Sequence, residues 1–358
     1  MTRNSEVELR LARPEDVERI ALLLPELAGP HYSERFPDST GAAFCRWKYF
    51  NNPAGEAAVG IALSGDRVVS IAAAAPKLIQ VEAELFTTFE LGDFITATDY
   101  RNRGLFSKLV ELISTEAVRR TAAFAYVRPN SLSFPILAKH LSFVEVRRID
   151  LRRYVVPSAL FHRKIATPTG LLRALGIDRA ALRLLAHSSS RSITVCRTTR
   201  FDTKMDEFWE RIRLRYRFSL VRDSRYLNWR YVDCPTPYLL WIAYRGPEVA
   251  GYLVGFVGDC EGIGNLVDLF TDPEDTEASV ALVREGLEAM LGAGAESVYT
   301  WTLQSGAESA GTRALGHACP LKSRDHLHLA MRFRGGSLDE SRLPPRGWQV
   351  AMGDFDGI

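Results

Sequence analysis

The chain has few cysteines, and their spacing does not match a disulfide framework or a metal site. The five of them are an odd, scattered set without a CxxC pair: Cys45, Cys196, Cys234, Cys260 and Cys319. Such a set predicts reduced thiols and argues against a disulfide framework or a zinc site. We therefore expect a protein without a metal cofactor.

Long apolar runs are also missing. No stretch approaches the roughly 20 residues needed to span a bilayer. The opening MTRNSEVELR is charged where a secretory signal would be apolar. These features predict a cytoplasmic protein with no membrane partner. The net charge of +2 is too close to neutral to predict a nucleic-acid-binding surface.

Three common catalytic signatures are absent from the sequence as well. It contains no HExxH, GxSxG or P-loop pattern. Zinc-dependent hydrolysis, serine hydrolysis and nucleotide phosphoryl transfer therefore have no support.

What the sequence does contain is an internal repeat. Five identities recur at one fixed offset: Arg35, Phe36, Trp47, Tyr49 and Pro53 match Arg217, Phe218, Trp229, Tyr231 and Pro235. Chance gives roughly one identity over such a stretch at average composition. The flanking segments also have matching patterns. Before the identities, each unit has the pattern of a strand, a turn and a helix, and after them each has the pattern of two strands joined by a Gly-containing hairpin. The spacing is far too long for a solenoid, so a whole domain is repeated.

This repeat sets the predicted organisation of the chain. One unit covers about 1–153 and a second covers 190–333, with a helical connector at 154–189 and a tail at 334–358. Within the first unit, strands and helices alternate in the order expected for a mixed sheet. The fold class is therefore α/β, in the sense of an α+β mixed sheet, built twice in tandem.

The stretch DYRNRGLFSKL, from Asp99 to Leu109, places two arginines around a glycine between a predicted strand and a predicted helix. A helix start offers unpaired N–H groups and the positive end of its dipole. Gly104 lets an anion approach the backbone, and Arg101 and Arg103 add fork-shaped donors suited to phosphate. An ordinary helix start with two solvated arginines explains the same residues.

The longer segment FITATDYRNRGLFSKLVELI resembles the acyl-CoA-binding motif of the GNAT superfamily of N-acyltransferases. Arg101, Gly104 and the preceding strand match its form, whereas Phe106 stands where the last Gly or Ala is usual. Phe106 continues the apolar stripe of the helix, so we expect it to face the core. The resemblance implies acetyl-CoA as co-substrate, with contacts from Phe94, Ile95, Thr96, Arg101, Asn102, Arg103, Gly104, Leu105, Phe106 and Ser107.

The next segment, YVRPNSLSFPILAKHLSFVEV, is similar to the following block of the same family. There Asn130, with Ser133 after it, fits the polar position that meets the pantetheine arm. The tyrosine that many members use to protonate the leaving thiolate would fall near Leu137 or Ala138 and is missing.

The corresponding turn of the second unit is acidic. Asp272, Glu274, Asp275 and Glu277 replace the arginine–glycine turn and would repel a diphosphate. We therefore expect a degenerate second unit that does not bind coenzyme A in this way.

The resemblance implies N-acylation of a primary amine by direct attack, with a small polar acceptor such as an amino sugar. Backbone N–H groups of Phe94 to Thr96 would polarise the thioester carbonyl. Asp93 is the first candidate for the general base and Glu90 the second. The acidic tail offers Asp354, Asp356 or the terminal carboxylate of Ile358 as further carboxylates.

Two other functions remain open on the sequence alone. One is a non-catalytic module that binds acyl-CoA or a partner protein, which the missing tyrosine and the presence of Phe106 leave open. The other is a tRNA-dependent aminoacyltransferase of the peptidoglycan type, which is also built from two such units.

Overall fold

A computed structural model describes residues 7–24, 40–120, 123–130, 133–155, 192–258, 262–303, 309–333, 338 and 340–355. Helices and strands alternate along these residues, and the strands form a single large sheet with both parallel and antiparallel pairs. The predicted mixed α/β class is therefore confirmed. The predicted helical connector at 154–189 falls outside the described residues beyond Val155.

The first unit follows the order expected from its sequence pattern. Its elements are β1 (Glu8–Leu11), α1 (Val17–Ala21), α2 (Thr40–Cys45), β2 (Ala58–Ser64), β3 (Arg67–Val81), β4 (Glu84–Thr96), α3 (Leu105–Arg119), β5 (Phe124–Val127), α4 (Phe134–Leu141) and β6 (Val144–Val155). Helix α2 continues directly into a wider turn over Arg46–Phe50.

The second unit repeats this order element by element. It comprises β7 (Ile193–Thr198), α5 (Lys204–Ile212), β8 (Phe218–Leu220), α6 (Ser224–Tyr231), β9 (Leu239–Arg245), β10 (Glu248–Val257), β11 (Ile263–Thr271), α7 (Thr276–Gly292), β12 (Ser297–Leu303), α8 (Ala310–Ala318) and β13 (Leu321–Phe333). Strand β8 is its one additional element among the described residues. A short strand β14 (Trp348–Gln349) then pairs with β8.

The sheet joins the two units by exchanging their last strands. The strand order is β1-β2-β3-β4-β5-β13-β6-β12-β11-β10-β9-β7. Strand β13 therefore pairs with β5 of the first unit, and β6 pairs with β12 of the second. The proposed division at residue 153 falls inside β6, so the two units are repeats in sequence that are interlocked in space.

Helix α3 lies against the strands that precede it. Its apolar residues recur at helical spacing, and Leu109, Val110, Ile113 and Ala117 are buried. A Cβ added at Gly60 on β2 would stand 3.1 Å from a methyl of Ile113, so this glycine allows the helix to approach the sheet closely. The position of α3 over the sheet fixes where its first turn points.

The two units meet through the tryptophans that first indicated the repeat. The rings of Trp47 and Trp229 stack with their centroids 5.0 Å apart. Trp47 Nε1 donates to the Trp229 carbonyl oxygen at 2.6 Å, and Trp229 Nε1 donates to the Trp47 carbonyl oxygen at 3.1 Å. This reciprocal pair indicates a pseudo-twofold relation between the units. The sequence match at Arg35 and Phe36 lies outside the described residues.

Candidate functional site

The site begins where two parallel strands part. Strands β4 and β5 pair only from Phe89–Ala125 to Leu91–Val127. Beyond this point β4 keeps its pairing with β3, through Ile95 and Thr96, while the chain after β5 turns away. The parted strands leave one edge of β4 open.

A cavity of about 420 Å³ lies in this gap. We call it the site cavity. Its lining comes from β4, the start of α3, the segment after β5, the turn after α2 and the C-terminal tail: Lys48, Glu90, Leu91, Gly92, Asp93, Phe94, Phe106, Arg128, Pro129, Asn130, Ser133, Ile136 and Phe355.

Asp93 lies at an irregularity of β4 that aims the strand into the gap. The register against β3 shifts here, and Asp93 has a φ of +52°, a left-handed conformation that few residues with side chains adopt. Its Oδ2 accepts a hydrogen bond from the Tyr49 hydroxyl at 2.8 Å and lies 2.7 Å from Lys48 Nζ. Asp93 is thus a positioned, ion-paired carboxylate at the cavity wall.

Glu90, the second predicted carboxylate, also lines the cavity. Its Oε2 lies 3.6 Å from Nζ of Lys77, a fully buried lysine. The same ammonium lies 4.9 Å from the ring centroid of Trp229, which provides a favourable cation–π contact. The structure therefore brings both predicted carboxylates to one cavity, each beside a buried lysine.

Arg128 reaches the cavity from the end of β5. Its guanidinium carbon lies 5.0 Å from the Trp301 ring centroid and 6.0 Å from that of Phe355. Its Nε is buried and has no hydrogen-bond partner among the described residues. Burial lowers the pKa of Arg128, and the nearby Glu90 carboxylate acts in the opposite direction.

The arginine–glycine turn lies at the surface beside the cavity. Gly104 precedes α3 with a φ of +70°, and a Cβ placed there would meet nothing within 4 Å. Arg101 Nε donates to the Thr96 carbonyl oxygen at 3.2 Å, and Arg103 donates to the Asp99 carbonyl oxygen at 2.9 Å. Both guanidiniums are held at the start of the helix and stay exposed.

The first turn of α3 presents backbone N–H groups to the open side of Gly104. The first backbone bond of the helix runs from Lys108 N–H to the Gly104 carbonyl oxygen. The N–H groups of residues 105–107 therefore have no partner within the helix. No side chain caps this end of α3 within the described residues.

The predicted cofactor contacts divide into two groups. Four line the cavity, namely Phe94, Phe106, Asn130 and Ser133. The other eight do not: Ile95 and Leu105 are buried, Arg101, Asn102, Arg103 and Gly104 are exposed, and Thr96 and Ser107 are half-buried.

Phe106, which we expected to face the core, is half-buried and packs against it, but it also faces the site cavity. Its ring lines the site cavity and packs edge-on against Phe94, with centroids 5.1 Å apart. The reason is that the first turn of α3 overhangs the gap between β4 and β5, so this apolar position has a cavity beneath it. The ring forms one wall of the cavity and leaves it open.

Asn130 and Ser133 are hydrogen-bonded to each other before α4. Asn130 Oδ1 accepts hydrogen bonds from the Ser133 backbone N–H at 2.8 Å and from its hydroxyl at 3.0 Å. Leu137, at the position of the missing tyrosine, is fully buried. Ser133 is the one hydroxyl-bearing side chain among the described lining residues.

The acidic turn of the second unit is occupied by its own contacts. The Asp275 side chain caps α7 by accepting from the Ala278 backbone N–H at 3.0 Å. Arg215 pairs with Asp272 and Glu274, at 3.1 and 2.6 Å. The helix start that is open in the first unit is closed here.

The tail fills the second unit where the first unit has its cavity. Arg230, the counterpart of Lys48, donates to the backbone carbonyl oxygens of Gly353 and Phe355. Tyr231 and Asp268, the counterparts of Tyr49 and Asp93, keep their hydrogen bond at 3.0 Å. The two units thus share one polar pair, and the tail covers it in the second unit only.

Asp354, a predicted tail carboxylate, does not face the site cavity. It is buried with its Oδ1 2.6 Å from an Arg222 guanidinium nitrogen. Burial raises the pKa of Asp354, with Arg222 opposing that effect. Asp356 and Ile358 lie outside the described residues.

Among the lining residues that sequence reasoning missed, three bear on the chemistry or shape of the site: Lys48, Arg128 and Phe355. For Lys48 the signal was present, because the repeat places it opposite Arg230. For Arg128 and Phe355 no local pattern distinguishes them from other residues of a strand end and a tail.

Within the described residues, no group of three or more His, Cys, Asp and Glu side chains is placed to hold a metal ion. No described helix is long and apolar enough to cross a membrane.

Comparison with known families finds a match within the first unit. Residues 9–139 match the sequence profile of the acetyltransferase (GNAT) domain. No curated protein sequence matches the chain significantly.

Solved structures share the fold along nearly the whole chain. A tandem GNAT protein from the clavulanic acid biosynthesis pathway superposes with a TM-score of 0.61 at 15% identity, covering 93% of this chain and 100% of that one. The N-myristoyltransferase of Saccharomyces cerevisiae, with bound myristoyl-CoA, gives 0.60 at 13%, covering 98% and 86%. A probable N-acyltransferase from Enterococcus faecalis V583 gives 0.58 at 12%, covering 92% and 73%. At these identities the likeness shows a common fold.

Proposed function

We propose that the chain is a member of the GNAT superfamily, whose domain profile matches residues 9–139, and that it transfers an acetyl group from acetyl-CoA to the primary amine of a small polar acceptor. The observation that carries the proposal is the gap between β4 and β5, whose cavity adjoins an uncapped helix start with a left-handed glycine. Membership in the superfamily supports acyl-CoA as the donor.

The cofactor lies along the open side of the α3 start in this proposal. Its diphosphate accepts hydrogen bonds from the first-turn N–H groups, with Arg101 and Arg103 alongside as charge-assisted donors. The pantetheine arm then enters the gap past Asn130 and Ser133. The thioester comes to rest against Phe94 and Phe106 at the cavity wall.

The backbone of β4 supplies the electrophilic assistance. Ala97 N–H donates to the Val69 carbonyl oxygen on β3. Because strand residues alternate in direction, the backbone groups of Phe94 and Thr96 turn toward the open edge. An N–H at that edge donates to the thioester oxygen as negative charge develops on it.

The transfer is a direct attack with a simple proton balance. The neutral amine nitrogen bonds to the thioester carbon, the C–S bond breaks, and an amide and a thiolate form. Asp93 accepts the amine proton, with Oδ1 as the accepting atom, because Lys48 and Tyr49 engage Oδ2. Glu90 is the second candidate for that role.

An acyl-cysteine intermediate is not part of this scheme. Cys45 is the described cysteine nearest to the site in sequence, and it is fully buried. Burial raises the pKa of its thiol to about 12, so it stays protonated at neutral pH.

The test measures binding and transfer separately. Purified protein is titrated with acetyl-CoA by calorimetry, and thiol release is then followed with a panel of small amines that includes amino sugars. Arg103→Ala should weaken acetyl-CoA binding several-fold through loss of a charge-assisted contact. Glu274→Ala, at the equivalent turn of the second unit, is the matched control and should leave binding unchanged.

Each result has a defined meaning. Binding without thiol release on any amine favours a non-catalytic acyl-CoA-binding module. If acetyl-CoA does not bind, both the acetyltransferase function and the acyl-CoA-binding module are excluded. Equal effects of Arg103→Ala and Glu274→Ala contradict a single cofactor site in the first unit.

A further inference from the structure

The two cations that line the site cavity differ in whether a carboxylate lies within ion-pair distance of them. Two carboxylates face it, and each lies within ion-pair distance of a lysine: Asp93 of Lys48 at 2.7 Å, Glu90 of Lys77 at 3.6 Å. Arg128 is a third cation at the same wall. No carboxylate of the described residues lies within 4.0 Å of its guanidinium nitrogens. The lining itself holds two cations and two carboxylates, but Glu90 pairs with Lys77 behind the cavity wall. Arg128 is therefore the lining cation without a carboxylate within ion-pair distance among the described residues.

The residues around Arg128 contact its guanidinium but leave its Nε without a hydrogen-bond acceptor among the described residues. Trp301 and Phe355 contact its guanidinium through their ring faces. Ring contacts stabilise the cation but accept no hydrogen bond in the guanidinium plane. Its Nε is buried without a partner among the described residues, and such a donor has a free-energy cost until an acceptor arrives.

We propose that Arg128 is the residue that selects the acceptor, by binding a carboxylate carried on the same small molecule as the reacting amine. The acceptor class is then the amino acids and related amino-carboxylates. This inference rests on the proposed function and narrows its substrate.

The charge balance and the shape of the donor favour a carboxylate. The attacking amine is neutral, so an amino acid enters the reaction with one negative charge, which matches the positive charge that Arg128 carries without a carboxylate partner among the described residues. A guanidinium fork binds a carboxylate through two parallel hydrogen bonds. A phosphate dianion would place a second negative charge beside Glu90 and Asp93, and an amine without an anion would leave Arg128 unpaired.

The position of Arg128 also suits this role. It follows β5 directly, across the gap from Asp93 on β4, and both residues line the same cavity. A carboxylate held on one side of the gap would present the adjacent amine to the other side. Phe355 and Trp301 come from the tail and the second unit, so both contribute to the acceptor site through Arg128.

The experiment compares amino acids with their own primary amides. Glycine, serine and phenylalanine and the corresponding amides are titrated by calorimetry into protein saturated with coenzyme A, which carries no acetyl group and permits no transfer. Each pair differs only in the anion, and 2-aminoethyl phosphate serves as a phosphate-bearing probe. An amide has the more readily deprotonated amine, so a preference for the acid cannot arise from amine basicity.

Wild-type protein should bind at least one acid about 10- to 100-fold more tightly than its amide, as expected for a hydrogen-bonded charge pair. Arg128→Gln should reduce that preference to about twofold or less, and Arg128→Lys should restore part of it. The matched control is Arg197→Gln. Arg197 also stacks on an indole, with its guanidinium carbon 4.7 Å from the Trp241 ring centroid, but lies outside the cavity.

Equal binding of acids and amides overturns the inference, as does tighter binding of the phosphate probe or no binding by any acid. A preference that survives in a folded Arg128→Gln protein, with an unchanged thermal midpoint, overturns it too. These outcomes are separate from failure of the proposed function, which would appear as absent acetyl-CoA binding or absent thiol release.

Discussion

The tail that fills the second unit leads to a quantitative prediction at Gly353. A Cβ at this position would stand 1.9 Å from the Tyr231 hydroxyl oxygen, whereas ordinary van der Waals contact lies at 3.4–4 Å. The Tyr231 ring is buried and packs edge-on against Tyr238, so it cannot swing aside. Gly353→Ala must therefore displace either the tail or the hydroxyl.

The cost can be estimated from what each displacement breaks. Moving the hydroxyl breaks its 3.0 Å hydrogen bond to Asp268, and a bond to a charged group contributes about 1.5–3 kcal/mol. Retaining the strain costs a similar amount, about 1–3 kcal/mol for an overpacked site. Reduced freedom of the unfolded chain returns about 0.4–1 kcal/mol. The free energy of unfolding should therefore fall by roughly 1–2 kcal/mol.

A double-mutant cycle with Tyr231→Phe isolates this contact. Tyr231→Phe removes the clashing oxygen and its hydrogen bond in one step. Gly353→Ala in that background should then cost less than about 1 kcal/mol, because the nearest atom to the new Cβ becomes a ring carbon at 3.0 Å instead of the oxygen at 1.9 Å. Urea unfolding of the four proteins, followed by tryptophan fluorescence, measures the coupling energy.

Additive effects of the two substitutions would refute the reasoning, since they would show that the tail does not press on Tyr231. Activity provides a second check. Phe355, two residues on, lines the site cavity, so displacing the tail should also lower the rate of acyl transfer. A destabilised Gly353→Ala protein with unchanged transfer would separate the tail from the site.

Three further predictions concern the rest of the fold. The Arg119 guanidinium, together with Arg120, lowers the pKa of Glu116 to about 2, so its stabilisation is complete above pH 4.5 and is lost as the pH falls toward 2. In Glu116→Gln the urea midpoint should depend less on pH across that window. An unchanged pH dependence would contradict the pairing of Glu116 with Arg119 and Arg120. Trp47→Phe should cost about 1–3 kcal/mol in urea unfolding by leaving the Trp229 carbonyl without its donor. Trp229→Phe should cost a similar amount, and a neutral effect of both would disprove the reciprocal contact. With a thiol reagent at pH 8, the exposed Cys196 should react in the fast phase, whereas Cys45 and Cys319, each with its pKa raised to about 12 by burial, should react only on unfolding. If the fast phase disappears in Cys45→Ser and persists in Cys196→Ser, the burial of Cys45 is contradicted.

Local structure was largely predictable because local patterns determine it. The apolar stripe after Gly104 predicted a helix over 104–119, and α3 covers Leu105–Arg119. The strand predicted at 86–97 corresponds to β4, Glu84–Thr96. In both cases the residue spacing alone defines which face is buried.

Strand exchange could not be predicted in this way. The alternation in Val144–Val155 indicates a strand, but it does not say which strand lies beside it. The pairing of β6 with β12 and of β13 with β5 depends on contacts between residues more than 140 positions apart. Similar sequences in the two units make either arrangement consistent with the pattern.

The candidate site shows the same division. Asp93, Glu90 and Asn130 were predicted from strand and motif positions, and the structure brings them to one cavity. Arg128 was not predicted as a site residue. What distinguishes it is a buried Nε without a hydrogen-bond partner among the described residues, and this depends on its three-dimensional surroundings. The cavity beside Phe106 was not predicted, because the apolar spacing of a helix does not show that the sheet opens beneath its first turn.

The interlocked strands have a consequence for how this protein is made. While the chain emerges from the ribosome, β5 has no neighbour on its outer edge until Leu321–Phe333 has been synthesised, almost 200 residues later. An unpaired strand edge is a template for wrong pairing with other chains. The nascent first unit must therefore wait, exposed, for most of translation, and synthesis speed and chaperone supply should govern how much active protein a cell obtains.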